Sequence, residues 1–168
     1  MSSQQAIPVE VLGVPKKHEW GPILWEILHG LVERLGKTTI PQMLIDQRRE
    51  MILTLRYVET IMPCAVCRKH FHDWRTANPL DKLPQKSDEF VTSLRAWLYN
   101  LHNEVNESRQ IPSPFPMEEL PIRYGSVVFR SKLEVLFPLL NRAVRLKEID
   151  VDSVKKFRTH LNLLLAFI

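Results

Sequence analysis

Apolar positions recur at helical spacing along most of the chain. Between Trp20 and Leu35 they fall at Trp20, Ile23, Leu24, Ile27, Leu28, Leu31 and Leu35, one face of a first helix that Gly36 ends. Pro41 opens a second helix, with Leu44, Met51, Leu55 and Val58 turned inward, and Pro63 interrupts it. A third begins at once, where Cys67, Phe71 and Trp74 are spaced to share a face. Asn78, Pro79 and Pro84 then mark a loop. Ser87 is the expected N-cap of a fourth helix, with Asp88 and Glu89 in its first turn. That helix carries Leu94, Leu98, Leu101 and Val105 inward and ends before Pro112, Pro114 and Pro116.

No Asn-Gly or Asp-Gly hairpin dipeptide occurs and no convincing run alternates with period two. The expected fold class is therefore all-α: a four-helix bundle with a C-terminal helical extension. In that extension 126–147 and 152–167 read as helical, with Pro138 splitting or kinking the first. Leu133, Leu136, Leu140, Leu161, Leu164 and Leu165 supply a buried face if the extension packs on the bundle rather than serving as a docking element. The expected organisation is an N-terminal segment 1–18, a bundle 19–120 and an extension 121–168. A length of 168 residues suits one domain with an appendage.

Charge and glycine content narrow the function. The net charge of +4 is uneven, since residues 121–168 carry 9 Lys/Arg against 4 Asp/Glu while residues 1–120 carry 14 against 15. The basic dipeptides of the first part are separated by acids, so no stripe for tracking phosphates is present and no nucleic-acid partner is expected. Five glycines, at 13, 21, 30, 36 and 125, cannot spell a Rossmann or P-loop phosphate loop. No apolar run reaches the ~18 residues of a membrane span, and the first residues show neither a secretory nor a mitochondrial leader pattern. The expectation is a cytoplasmic protein.

The two cysteines form one C-x-x-C, Cys64 to Cys67. A secreted disulfide framework would use more cysteines, spread along the chain, so redox or metal chemistry is indicated. Half a zinc site is one reading, but His70 and His72, the nearby ligands, lie two apart on different sides of a helix, and no metal is expected. A thioredoxin-like motif is another, which needs a preceding strand. The third is a redox dithiol at a helix N-terminus in a helical bundle, where the dipole and Arg68, Lys69 and His70 would favour the thiolate.

The fourth helix contains WLYNLHNEVN, Trp97 to Asn106, in which His102 and Asn106 share a face. Trp25 and His29 form a comparable pair on the first helix. Each of these rings alone is more economically read as core. Clustered around one C-x-x-C, they point to a flat redox cofactor.

WGPILWEILHG, PCAVCRKHF and WLYNLHNEVN, in this order, resemble the FAD-linked sulfhydryl oxidases of the Erv/ALR type, including viral members. The resemblance covers about Trp20 to Pro116. It implies a four-helix bundle that binds FAD, a homodimer, protein dithiol substrates, and O2 as acceptor giving H2O2. Many cellular relatives also carry a distal shuttle cysteine pair; with only Cys64 and Cys67 here, a relay protein with its own C-x-x-C is the expected partner. Cys64 and Cys67 would be the catalytic pair. The cofactor would be held by Trp25, His29, Cys67, His70, Phe71, Trp97, His102, Asn103, Val105 and Asn106, with Arg109 nearest its phosphates because Ile111 stands where relatives often have lysine. A disulfide that often clamps the fourth helix is missing, since Tyr99 and Pro116 occupy its positions; the proline run would stiffen the segment instead. A short chain with one C-x-x-C also suits a virus acting in host cytoplasm or carried in the virion. The rival reading is a non-catalytic assembly or interaction module on a degenerate oxidase fold.

Overall fold

A computed structural model describes residues 7–112 and 115–168, and every regular element among them is helical. Pro114 of the proline run and the first six residues of the N-terminal segment lie outside the described residues. A single turn, α1 (Val9–Leu12), precedes α2 (Lys17–Arg34), α3 (Pro41–Ile61), α4 (Ala65–Ala77) and α5 (Ser87–Ser108). Beyond the prolines come a short α6 (Leu120–Tyr124), then α7 (Phe129–Arg145) and α8 (Val151–Phe167).

The stops act as the sequence indicates. Gly36 takes φ +72 after α2, and Pro41 is the first residue of α3. One boundary differs: α5 is capped by Lys86, and Ser87 is its first helical residue. The Lys86 carbonyl already accepts the Phe90 N–H at 2.8 Å, which places Ser87 inside the first turn. Asp88 and Glu89 remain at the positive end of the helix dipole. Pro138 does not split α7. It is exposed, as is Glu134 one turn earlier, so the carbonyl that loses its amide partner faces water.

Buried residues on both sides of Pro121 belong to one core. α8 lies along α3, and α7 packs on α2. Leu136, Leu140, Leu161 and Leu164 are buried, while Leu133, Leu165 and Leu44 are half-buried. At ~1.5–3 kcal/mol per fully buried side chain, these four leucines alone rival the ~5–15 kcal/mol net stability of a domain. Polar ties fasten the same seam. Buried Gln47 accepts from the Gly36 N–H at 2.9 Å and donates to the Phe167 carbonyl at 2.6 Å. Arg142 reaches Glu19 at 2.8 Å, and His160 meets Glu50 at 2.7 Å.

Candidate functional site

The cysteine pair sits where α3 ends and α4 begins. Cys64 is the N-cap of α4, its Sγ accepts the Cys67 N–H at 3.2 Å, and the two form a disulfide with Cα atoms 5.2 Å apart. The turn is held from the side: Arg68 donates to the Met62 carbonyl at 2.6 Å and approaches Glu148 of the α7–α8 connection at 3.4 Å. The cations expected to favour a thiolate are engaged elsewhere. Besides Arg68, Lys69 pairs with Asp73 at 2.5 Å and His70 with Glu104 at 3.1 Å. Stabilisation of a Cys67 thiolate therefore falls mainly to the amides and dipole of the α4 N-terminus. His72 faces Glu59 at 2.7 Å, and no group of residues suited to a metal ion occurs among the described residues.

One cleft adjoins the pair, and a second opens from it. The first is narrow and largely apolar, bounded by Trp20, Leu24 and Trp25 of α2, Val58 and Met62 from α3, Cys67, His70 and Phe71 of α4, and Val105 and Arg109 at the end of α5. Cys67 lines it; Cys64 does not. The second, about 910 Å³, is bordered by Trp25, His102, Asn106 and Arg109, and on its far side by Tyr124 and residues 126–128. Its volume is within the usual ~300–1,000 Å³ of small-molecule sites. The clefts meet along Lys17, Gly21, Trp25 and Arg109.

Beneath the second cleft lies a stack of rings. His102 stacks on Trp25 with centroids 4.0 Å apart, and its Nδ1 is 3.0 Å from Nε2 of His29. His29 in turn stacks on Tyr124 at 4.6 Å. Burial pushes the His29 pKa down to about 3, assisted by the His102 charge, and burial lowers His102 to about 4. Both rings are neutral at ordinary pH and share one proton in their mutual hydrogen bond.

Not every residue of the three motifs reaches a cleft. His29 is 2% exposed and lies behind His102. Trp97 is buried edge-on against Phe71 and Trp74, and its Nε1 donates to the Asn78 carbonyl at 2.9 Å. Asn103 is half-buried and borders neither cleft. The sequence reading missed Lys17, Gly21 and Tyr124. The first two had a signal, lying about two turns and one turn before Trp25 on its own helix; Tyr124 had none.

The family model described as Erv1 / Alr matches residues 22–124. An FAD-linked sulfhydryl oxidase ERV1 of Oryza sativa subsp. japonica is 28% identical over 111 residues, 66% of this chain and 52% of that protein. An FAD-linked sulfhydryl oxidase ERV1 of Arabidopsis thaliana is 29% identical over 133 residues, 78% of this chain and 64% of that protein. The chain thus spans between about half and two thirds of these relatives. No solved structure matches it.

Proposed function

Because the chain belongs to the Erv1 / Alr family, we propose that it is an FAD-linked sulfhydryl oxidase that converts protein dithiols to disulfides, with O2 as acceptor and H2O2 as product. The observation that carries this reading is the position of Cys67, which is half of a disulfide at a helix N-terminus and also part of the wall of an apolar cleft.

The residues present fit FAD. A Cβ at Gly21, where the clefts meet, would have no heavy atom within 4 Å, so open space lies over the helix at that point. Trp20, on the apolar cleft, buries its indole N–H with no partner among the described residues, and a flavin ring is rich in acceptors. Trp25, Cys67, His70, Phe71 and Val105 would hold the ring system, and Trp25, His102, Asn106 and Arg109 the nucleotide part. His29 would support His102 from behind, Trp97 would back Phe71, and Asn103 lies between His102 and Glu104 on the same helix. When bound, FAD supplies the two-electron link between the reduced cysteine pair and O2.

The chain's own residues perform thiol–disulfide exchange. A substrate thiolate attacks Cys64 Sγ, the Cys64–Cys67 bond breaks, and Cys67 leaves as a thiolate stabilised by the α4 N-terminus. The second substrate thiolate attacks the substrate sulfur of the mixed disulfide and releases Cys64. The substrate has then lost two electrons, and the cysteine pair has gained them. With one C-x-x-C in the chain, the natural donor is a relay protein carrying its own. The reading includes a homodimer. A viral source, and with it a host cytoplasm or virion location, finds no support in the plant relatives. No helix among the described residues is long and apolar enough to cross a membrane.

Purified full-length protein tests the proposal. It should be yellow and consume O2 with dithiothreitol, and Cys64→Ser should abolish consumption. A folded, colourless protein that consumes no O2 would favour the non-catalytic module.

A further inference from the structure

Lys17, Gly21, Trp25 and Arg109 are the residues common to both clefts. Two of these four are cations, and neither has a carboxylate partner among the described residues. The other cationic side chains on the second cleft are differently placed. Arg123 is held by Glu119 at 2.9 Å and lies over the Phe115 ring, while Lys132 pairs with Glu26. His18 borders the second cleft and not the first. Glu26 is the single carboxylate lining either cleft among the described residues, and its pairing with Lys132 removes the repulsion it would exert on an anion.

The junction is therefore positive on two sides, free of net negative charge, and roofed by open space over Gly21. Lys17 is also the first residue of the 18-residue α2, so its charge adds to the positive end of that helix dipole. A ligand with an apolar ring at one end and a polar group at the other, joined by a linker of two negative charges, matches this sequence of environments. We infer that Lys17 and Arg109 clamp the diphosphate of FAD where it passes from one cleft to the other. The inference rests on the flavin-oxidase reading and assigns Lys17, from the start of the first long helix, to cofactor binding.

Full-length apoprotein titrated calorimetrically with FAD and with riboflavin, which lacks the phosphates, at low and high ionic strength, tests it. Lys17→Ala and Arg109→Ala should each weaken FAD binding about tenfold, as expected for loss of one charge-assisted hydrogen bond. They should leave riboflavin affinity unchanged and flatten the salt dependence of FAD affinity, and Lys17→Arg should restore most of the loss. Far-ultraviolet circular dichroism should be unaltered, both side chains being exposed. Equal losses for FAD and riboflavin, an unchanged salt dependence, or full FAD affinity in both alanine variants would overturn the clamp while leaving the oxidase reading intact. Wild-type apoprotein that binds neither flavin would defeat that reading, and the clamp with it.

Discussion

The Tyr99 hydroxyl donates a 2.8 Å hydrogen bond to the Phe115 carbonyl. It ties the middle of α5 to the segment returning from its end, one residue short of where the family resemblance leads one to expect a disulfide between positions 99 and 116. Phe115 is further fixed by the Tyr124 ring at 6.1 Å and by Arg123 over its face at 4.1 Å. A non-covalent clamp thus joins α5 to the wall of the second cleft.

Tyr99→Phe removes only the hydroxyl. It should lower unfolding free energy by about 0.5–1.5 kcal/mol, the usual net worth of one hydrogen bond, and should speed hydrogen exchange around residues 115–119. Urea unfolding and exchange measurements check this. Unchanged exchange in that segment would show that the aromatic contacts hold it alone.

The His29–His102 pair gives a pH dependence of known sign. Both folded-state pKa values, about 3 and about 4, lie below the ordinary histidine value of 6.5. The unfolded chain therefore takes up protons near pH 6.5 that the folded chain refuses. Stability is fully present above that pH and declines as pH falls toward 4, by at most about 1.4 kcal/mol per pH unit for each ring. His29→Gln leaves one such ring and should flatten the decline. Urea midpoints between pH 7 and 5 measure it, and equal slopes for the two proteins would contradict the buried neutral pair.

The cysteines should separate spectroscopically. Cys64→Ser frees Cys67 on the cleft wall, where its thiolate should perturb the visible spectrum of bound flavin with a long-wavelength band that fades on acidification. Cys67→Ser leaves Cys64 outside that wall, and the band should be absent. Neither cysteine anchors the core, so both variants should fold and bind FAD. A band in Cys67→Ser would reverse the two roles.

Helices with strong apolar periodicity and proline or glycine boundaries were legible in the sequence because local chemistry fixes them: Gly36 and Pro63 end elements whatever surrounds them. The site was legible only in part. His102, Asn106 and Arg109 share a face and border the second cleft, but Trp97 lies five residues before His102, about 140° around the helix, and turns toward α4 instead. One motif thus serves two faces, which its spelling alone does not disclose. Tyr124 belongs to a five-residue helix too short for any period to show, and only tertiary packing places it on His29.

Whether the extension docks or packs is decided by its buried face. A chain ending after Pro121 would expose the α3 surface that Phe157, Leu161 and Leu164 cover. It should be recovered insoluble. The milder Leu161→Ala, at a position 0% exposed, should cost about 2–5 kcal/mol by urea titration. A soluble truncated protein that retains flavin would return the extension to a docking role.

Gly30 makes the last case, because two effects of opposite sign compete there. Alanine in mid-helix ordinarily favours α2 by about 1 kcal/mol over glycine. Here a Cβ would meet Val127 Cβ at 2.9 Å and the Phe129 ring at 3.2 Å. Val127 Cβ is fixed to its backbone and cannot rotate away, so the connection before α7 must move, at the ~1–3 kcal/mol typical of overpacking. Overpacking should prevail, and Gly30→Ala should be less stable than wild type despite its better helix former. Val127 and Val128 also line the second cleft, so FAD affinity should fall in the same variant. Gly21→Ala, on the same helix with no atom within 4 Å of the added Cβ, is the control: it should gain stability as apoprotein yet bind FAD more weakly. Thermal unfolding and flavin titration of the two variants measure both outcomes, and a stabilised Gly30→Ala would show that the Val127 connection yields at little cost.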